Sequence, residues 1–194
     1  MDSTNQTNNQ IKRTLRELLR NDRALRFIPE SWLHILKSRE IQNAKIVATY
    51  LSYGVEPQTI DINETLIRSG KTVLLPRMLK DKDIEWVMWD GSLGSLRKNG
   101  RIQEPVGDKF EEFEKIDVVI VPALHIDHEG NRIGQGGGSY DRALARLVAW
   151  KVGLVGAAEL SGSLLPTESH DQKVDAAATP EVLIRFNRDV PRHF

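Results

Sequence analysis

DVVIVPALHIDHEGNRIGQGGGSYDRALARLVAWKVGLVGAA, residues 117–158, carries the pattern that decides the fold. DVVIVPA (Asp117–Ala123) is almost wholly apolar, as a central strand covered on both faces would be. A glycine-rich loop follows, then SYDRALARLVA with the spacing of a helix, then KVGLVGAA (Lys151–Ala158), another apolar strand. Strands alternating with helices in this way argue for a layered α/β fold around a mainly parallel sheet.

The same alternation extends outward. KIVATYLSY (Lys45–Tyr53) is a β-branched and aromatic run of strand length, Thr59–Arg68 reads as a helix closed by Gly70, and KTVLLP (Lys71–Pro76) is a buried strand. Ile84–Trp89 reads as an edge strand, and residues 91–115 as a long, charged surface excursion. Two helical segments precede the sheet. IKRTLRELLRNDRALRFI begins at Ile11 with Leu15, Leu18 and Leu19 at helical spacing, and SWLHILKSREIQN follows Pro29 and Ser31. Residues 159–180 read as a loop region, and VLIRF (Val182–Phe186) as a strand that closes the sheet. The polar residues 1–10 are expected to form a disordered tail, and 11–194 a single α/β domain.

Composition removes several function classes. Lys+Arg and Asp+Glu both total 27, so the basic surplus that usually drives nucleic-acid binding is missing. With no cysteine there is no thiol nucleophile, thiolate metal site or disulfide. No apolar run approaches the roughly 20 residues that span a bilayer, and MDSTNQTNNQ lacks the apolar core of a signal peptide. A cytoplasmic protein without nucleic-acid or membrane partners is expected.

The glycine loop is the place for chemistry. Gly134, Gly136, Gly137 and Gly138 sit between a buried strand and a helix, where glycine backbone can bring N–H groups close to an anion. The helix start adds partial positive charge, so phosphate is the natural guest. There is no Gly-Lys-Ser/Thr ending, and Ser139 replaces the third glycine of GxGxxG, so neither a P-loop nor a dinucleotide fingerprint is present. A flexible surface turn fits the composition equally well. Asp141 is either an acid favourably placed at a helix start or a hard carboxylate beside a phosphate, suited to Mg²⁺. Arg132 is either a phosphate ligand or a solvated loop residue. His125 and His128 lack a third ligand at convincing spacing, and Trp86 and Trp89, three apart, do not share a strand face.

NRIGQGGGSYDRALAR resembles the signature of the 5-formyltetrahydrofolate cyclo-ligases, R-[LI]-G-x-G-x-G-x-Y-D-R. Further likenesses run in order along the chain: Lys12 and Arg16 in K-x-x-L-R, Leu51 with Glu56-x-x-Thr59, GKTVLLPRM, VPALHID, and LLPTESHDQKVDAAATPE. The resemblance implies a three-layer α/β/α fold that closes 5-formyltetrahydrofolate to 5,10-methenyltetrahydrofolate with ATP and Mg²⁺. Phosphorylating the formyl oxygen would activate the carbon for attack by N10, chemistry that needs positioning and charge neutralisation rather than a protein nucleophile.

It further implies that Lys12 and Arg16 contact the ATP phosphates and that Arg132, Gly134, Gly136, Gly137, Gly138, Ser139 and Tyr140 form the nucleotide loop. Arg132 and Asp141 would be catalytic, Asp141 and Asp171 would hold Mg²⁺, and Leu51 and Glu56 would line the folate site. Partners would be a reduced folate and ATP, on a monomer or weak homo-oligomer. Each residue has a plainer reading: Lys12 and Arg16 as a solvated helix face, Glu56 as a loop acid, Asp171 as a turn cap, Tyr140 as packing.

The chain departs from the family pattern at Gln135, Ser139, Ile126, Gly156 and Glu159. Lost aromatic surface and an added charge, which a buried site must neutralise, fall there on the folate half. A diverged relative with another small-molecule substrate, a nucleotide- or folate-binding protein without turnover, and a sugar-phosphate or CoA-handling α/β enzyme therefore stand as alternatives.

Overall fold

In the computed structural model, residues 2–26 and 29–186 are described. Phe27 and Ile28, expected at the end of the first helical segment, and residues 187–194 of the expected domain lie outside them. A 25-residue helix α1 (Asp2–Arg26) leads, followed by a 3₁₀ turn (Leu33–Lys37) and α2 (Arg39–Asn43). Then come β1 (Ile46–Ala48), α3 (Ile60–Arg68), β2 (Thr72–Met78) and β3 (Ile84–Trp89). Beyond a hairpin of β4 (Leu96–Asn99) and β5 (Ile102–Pro105) lie β6 (Val118–Pro122), β7 (His125–Asp127), β8 (Arg132–Ile133) and α4 (Ser139–Ala145). The described chain ends with β9 (Trp150–Leu154), β10 (Leu160–Ser161), β11 (Ala176–Ala178) and β12 (Leu183–Arg185).

The main sheet has seven strands in the order β12-β11-β9-β6-β1-β2-β3. Its five central strands pair in parallel, and β3 and β12 join the edges antiparallel. Strand periodicity divides the core in two. Val47, Val73, Leu75, Val118, Ile120 and Trp89 pack with Ile62 and Leu66 of α3, and with Ile35 and Ile41, on one face. Ala48, Leu74, Val119, Val121 and Trp86 pack with Ala143 and Leu144 of α4 on the other. The sheet is thus the middle layer of an α/β sandwich, and Trp86 and Trp89 point to opposite faces.

Several expectations need correction. Residues 2–10, expected as disordered tail, are the first turns of α1. Once a helix is nucleated by packed turns, each further residue costs little backbone entropy per hydrogen bond gained. The expected helix from Ser31 is split at Ser38, which has extended backbone and whose hydroxyl accepts the Ile41 N–H to start α2 afresh. Only Ile46–Ala48 of the 45–53 run is strand, because Tyr50–Thr59 is tied into a loop by side-chain bonds. The expected loop region 159–180 holds β10 and the central strand β11, and the 91–115 excursion holds the β4–β5 hairpin.

Candidate active site

From β1 the chain passes through α3 to β2 on one side, then returns to place β6 on the other side of β1. That reversal is the switch point at which open α/β sheets gather ligands beyond their carboxyl ends. A cleft of about 440 Å³ lies there, lined by Tyr50 and Leu51 after β1, Pro76 and Met78 at the end of β2, and Pro122 at the end of β6.

One wall comes from α1. Lys12 and Arg16, one turn apart, line the cleft, and Lys12 is 1% exposed, so the solvated-face reading of Lys12 is overturned. Lys12 Nζ donates to Glu168 Oε2 at 2.8 Å and also reaches Asp171 Oδ2. Asp171 Oδ2 in turn accepts the Glu168 N–H at 2.7 Å. Arg16 Nε donates to the Gly134 carbonyl at 3.2 Å.

The floor is the glycine loop. Gly136 and Gly138 have φ of 96° and 67°, the left-handed region where glycine is at ease. Among the described residues, the N–H groups of Gly136, Gly137, Gly138 and Ser139 donate to no protein acceptor. The loop's root is fixed by Asp127, a buried carboxylate. It accepts the N–H groups of Glu129, Asn131 and Leu165, each at 2.9 Å. Burial alone would raise the Asp127 pKa, but those bonds and one from the Asn131 side chain hold it below the usual aspartate value. The Leu165 bond ties the glycine loop to the segment that carries Glu168 and Asp171.

Arg132 is 8% exposed and donates from Nη2 to Asp141 Oδ1 at 2.6 Å, while its Nε has no acceptor. Asp141 Oδ1 also accepts the Gln172 N–H at 3.0 Å. Beside them Tyr140 packs edge-on against Trp86, with ring centroids 6.3 Å apart, and its buried hydroxyl lacks a partner. Burial pushes the Tyr140 phenol well up, so it stays a neutral donor.

The opposite wall is the loop after β1. The Thr59 hydroxyl donates to the Tyr50 carbonyl at 2.6 Å and Asn63 Nδ2 donates to the same oxygen at 2.9 Å, which fixes Leu51 and Glu56. Glu56 is 7% exposed; burial raises its pKa to about 6, against the pull of the Tyr53 N–H, Arg23 and Gln135. Tyr53 N–H binds Oε2 at 3.2 Å, and the Gln135 side chain also hydrogen-bonds the carboxylate.

Every site residue that the resemblance implied lines one cleft: Lys12, Arg16, Leu51, Glu56, Arg132, Gly134, Gly136, Gly137, Gly138, Ser139, Tyr140, Asp141 and Asp171. Sequence reasoning missed Glu168, which stood in the quoted ESHD run, and also Met78, Ile102 and Gln103. Among the described residues, Glu168, His170 and Asp171 are the group whose ligand atoms, all within 4.8 Å of one another, suit a metal.

The sequence model of the 5-formyltetrahydrofolate cyclo-ligase family matches residues 3–180. The chain belongs to this family. The 5-formyltetrahydrofolate cyclo-ligase of Mycolicibacterium smegmatis is 32% identical over 158 residues, covering 77% of this chain and 79% of the relative. That of Escherichia coli K12 is 32% identical over 143 residues, covering 71% and 79%. The NMR structure of Aquifex aeolicus 5,10-methenyltetrahydrofolate synthetase superposes with a TM-score of 0.78 at 26% identity, over 94% of this chain and 97% of that one.

The five departures from the cyclo-ligase pattern do not all fall on the cleft. Ile126 is buried in the core, so close to Gly153 that a Cβ there would sit 2.4 Å from its Cδ1. Gly156 and Glu159 line a smaller hollow of about 210 Å³, which shares Glu56 with the cleft. The Glu159 charge is met by Arg23, through Nε at 2.5 Å and Nη2 at 2.6 Å. Only Gln135 and Ser139 line the cleft itself, and Gln135 is held by Arg20 through bonds of 2.8 and 2.7 Å.

Among the described residues, no helix is long and apolar enough to cross a membrane.

Proposed function

We propose that this chain converts 5-formyltetrahydrofolate to 5,10-methenyltetrahydrofolate with ATP and Mg²⁺. The observation that carries the reading is one cleft lined by two chemically different sets of groups. Lys12, Arg16, Arg132 and four undonated N–H groups of the glycine loop line it together with the apolar Tyr50, Leu51, Met78 and Ile84 and the carboxylate of Glu56. The first set fits a polyphosphate: its cations neutralise charge, and the orphaned Arg132 Nε needs an acceptor. Asp141 and the Glu168–Asp171 pair offer the hard oxygens that Mg²⁺ prefers.

Bound ATP with Mg²⁺ supplies the phosphoryl group that makes the formyl oxygen able to leave. The protein's own work is binding and alignment. Leu51 and its apolar neighbours exclude water from the folate ring, and the Glu56 carboxylate, with oxygen lone pairs beyond its bonds to Tyr53 and Gln135, accepts from N–H donors on that ring. Tyr53 N–H fixes the Glu56 carboxyl, so the ring is oriented before reaction. Holding the ATP phosphoryl group beside the formyl oxygen of the bound folate replaces a collision between two solutes with a near-attack geometry, which can lower that barrier by several kcal/mol, on the order of 7. Phosphoryl transfer by positioning and charge neutralisation asks for no protein nucleophile.

Purified protein with 5-formyltetrahydrofolate, Mg²⁺ and ATP should develop the absorption band of the methenyl product, and a control without ATP should not. No band, with ATP binding established separately, sinks the reading.

A further inference from the structure

The residues expected to bind phosphate and those expected to bind metal are paired with each other. Lys12, buried in the cleft wall, sits between Glu168 and Asp171, and His170 Nε2 lies 4.0 and 3.9 Å from the same two carboxylates. Arg132 repeats the pattern with Asp141. The undonated N–H groups of the glycine loop and the unpartnered Arg132 Nε are donors that the oxygens of an anion would satisfy.

The ammonium of Lys12 and a divalent cation need the same carboxylate oxygens, and like charges cannot share them at contact distance. A polyphosphate in the cleft offers Lys12 a second set of anionic oxygens. We propose that Lys12 is an exchangeable internal counter-ion. Without nucleotide it fills the cation seat between Glu168 and Asp171; when phosphate draws it away, those carboxylates are freed for the divalent metal. Glu168 is thereby a positioning residue for Lys12 in the first state and a metal-binding residue in the second. Metal and ATP must then raise each other's affinity, because each makes room for the other. This inference rests on the proposed ATP and Mg²⁺ dependence.

Calorimetric titration of the full chain with ATP, once in EDTA and once in excess Mg²⁺, tests it. Glu168→Gln loosens the hold on Lys12 and removes a metal oxygen. It should therefore bind metal-free ATP about 3- to 10-fold more tightly and Mg·ATP roughly 10-fold more weakly. A change of the same sign under both conditions is a simple field effect and overturns the exchange. Lys12→Met should bind Mn²⁺ alone, without nucleotide, at least ~10-fold more tightly than the unaltered protein. Unchanged or weaker Mn²⁺ binding overturns the exchange; should that variant not fold, the sign reversal in Glu168→Gln decides. If the unaltered protein binds ATP and the reversal is absent, only the exchange falls. If it binds no ATP under either condition, the ligase reading falls with it.

Discussion

Arg23 and Glu159, 136 residues apart in the chain, meet in a two-point ion pair, with bonds of 2.5 and 2.6 Å. Arg23 Nη2 also donates to the Ala123 carbonyl at 2.6 Å, and Glu159 Oε2 accepts the Gly156 N–H at 2.6 Å. The pair therefore staples α1 to the chain just beyond β6 and β9. Residues 12, 16 and 23 share one helix face, so the same staple sets how deeply Lys12 and Arg16 enter the cleft.

Glu159→Gln leaves the buried guanidinium of Arg23 without its counter-charge, which should cost about 3 kcal/mol in urea denaturation. Adding Arg23→Met should recover most of that loss, since the charge needing a partner is then gone. Strictly additive losses in the double-mutant cycle would mean the pair is not coupled in solution.

Glu56 gives a pH dependence of definite sign. Its carboxyl titrates near 4.5 when unfolded and at about 6 in the folded protein. Between those values the folded state holds a proton that the unfolded state has lost, so stability falls as pH rises through the window. The full cost, about 2 kcal/mol, is present above about pH 6 and absent below the unfolded value. Glu56→Gln should be more stabilising, by about that amount, near pH 7.5 than near pH 4. A pH-independent difference would place the carboxyl in wetter surroundings than the cleft wall.

The central strands and the glycine loop were legible because their patterns are local. Val118–Pro122 is apolar on both faces, and the glycines cluster where a backbone must meet an anion. β11 was not legible. Three alanines carry little intrinsic strand preference, and Ala176–Ala178 is a strand only because β9 and β12 flank it. Glu168 was hidden for a similar reason: its partner Lys12 lies 156 residues away, and nothing near it marks a buried pair. The charge at Glu159 looked costly in sequence because Arg23 could not be seen beside it.

Two of the glycines with tight surroundings, Gly136 and Gly130, should fail differently. At Gly136 a Cβ would meet the Arg16 guanidinium at 3.2–3.3 Å, at φ 96°; at Gly130 it would meet the Val174 carbonyl oxygen at 2.4 Å, at φ 79°. Gly136→Ala should displace a flexible side chain and strain the loop by about 1–2 kcal/mol, showing chiefly as ATP affinity lowered roughly 10-fold or more. Gly130→Ala has rigid backbone in its way, so its cost should appear as lost thermal stability. Equal melting temperatures for the two variants would contradict this division.

Asp141→Asn separates two roles of one carboxylate. Asparagine keeps an oxygen for the Arg132 Nη2 and Gln172 N–H donors, so the bonds survive in outline while the charge is lost. The stability cost should stay within about 1–3 kcal/mol, that of a weakened bond to a buried cation, and the circular dichroism spectrum should be unchanged. A metal ligand is worth several kcal/mol of transition-state stabilisation, so turnover should fall roughly 100-fold or more if Asp141 holds Mg²⁺. Near-normal turnover with the same stability loss would leave Asp141 as the counter-ion of Arg132 and move the search for the metal oxygens to Glu168 and Asp171.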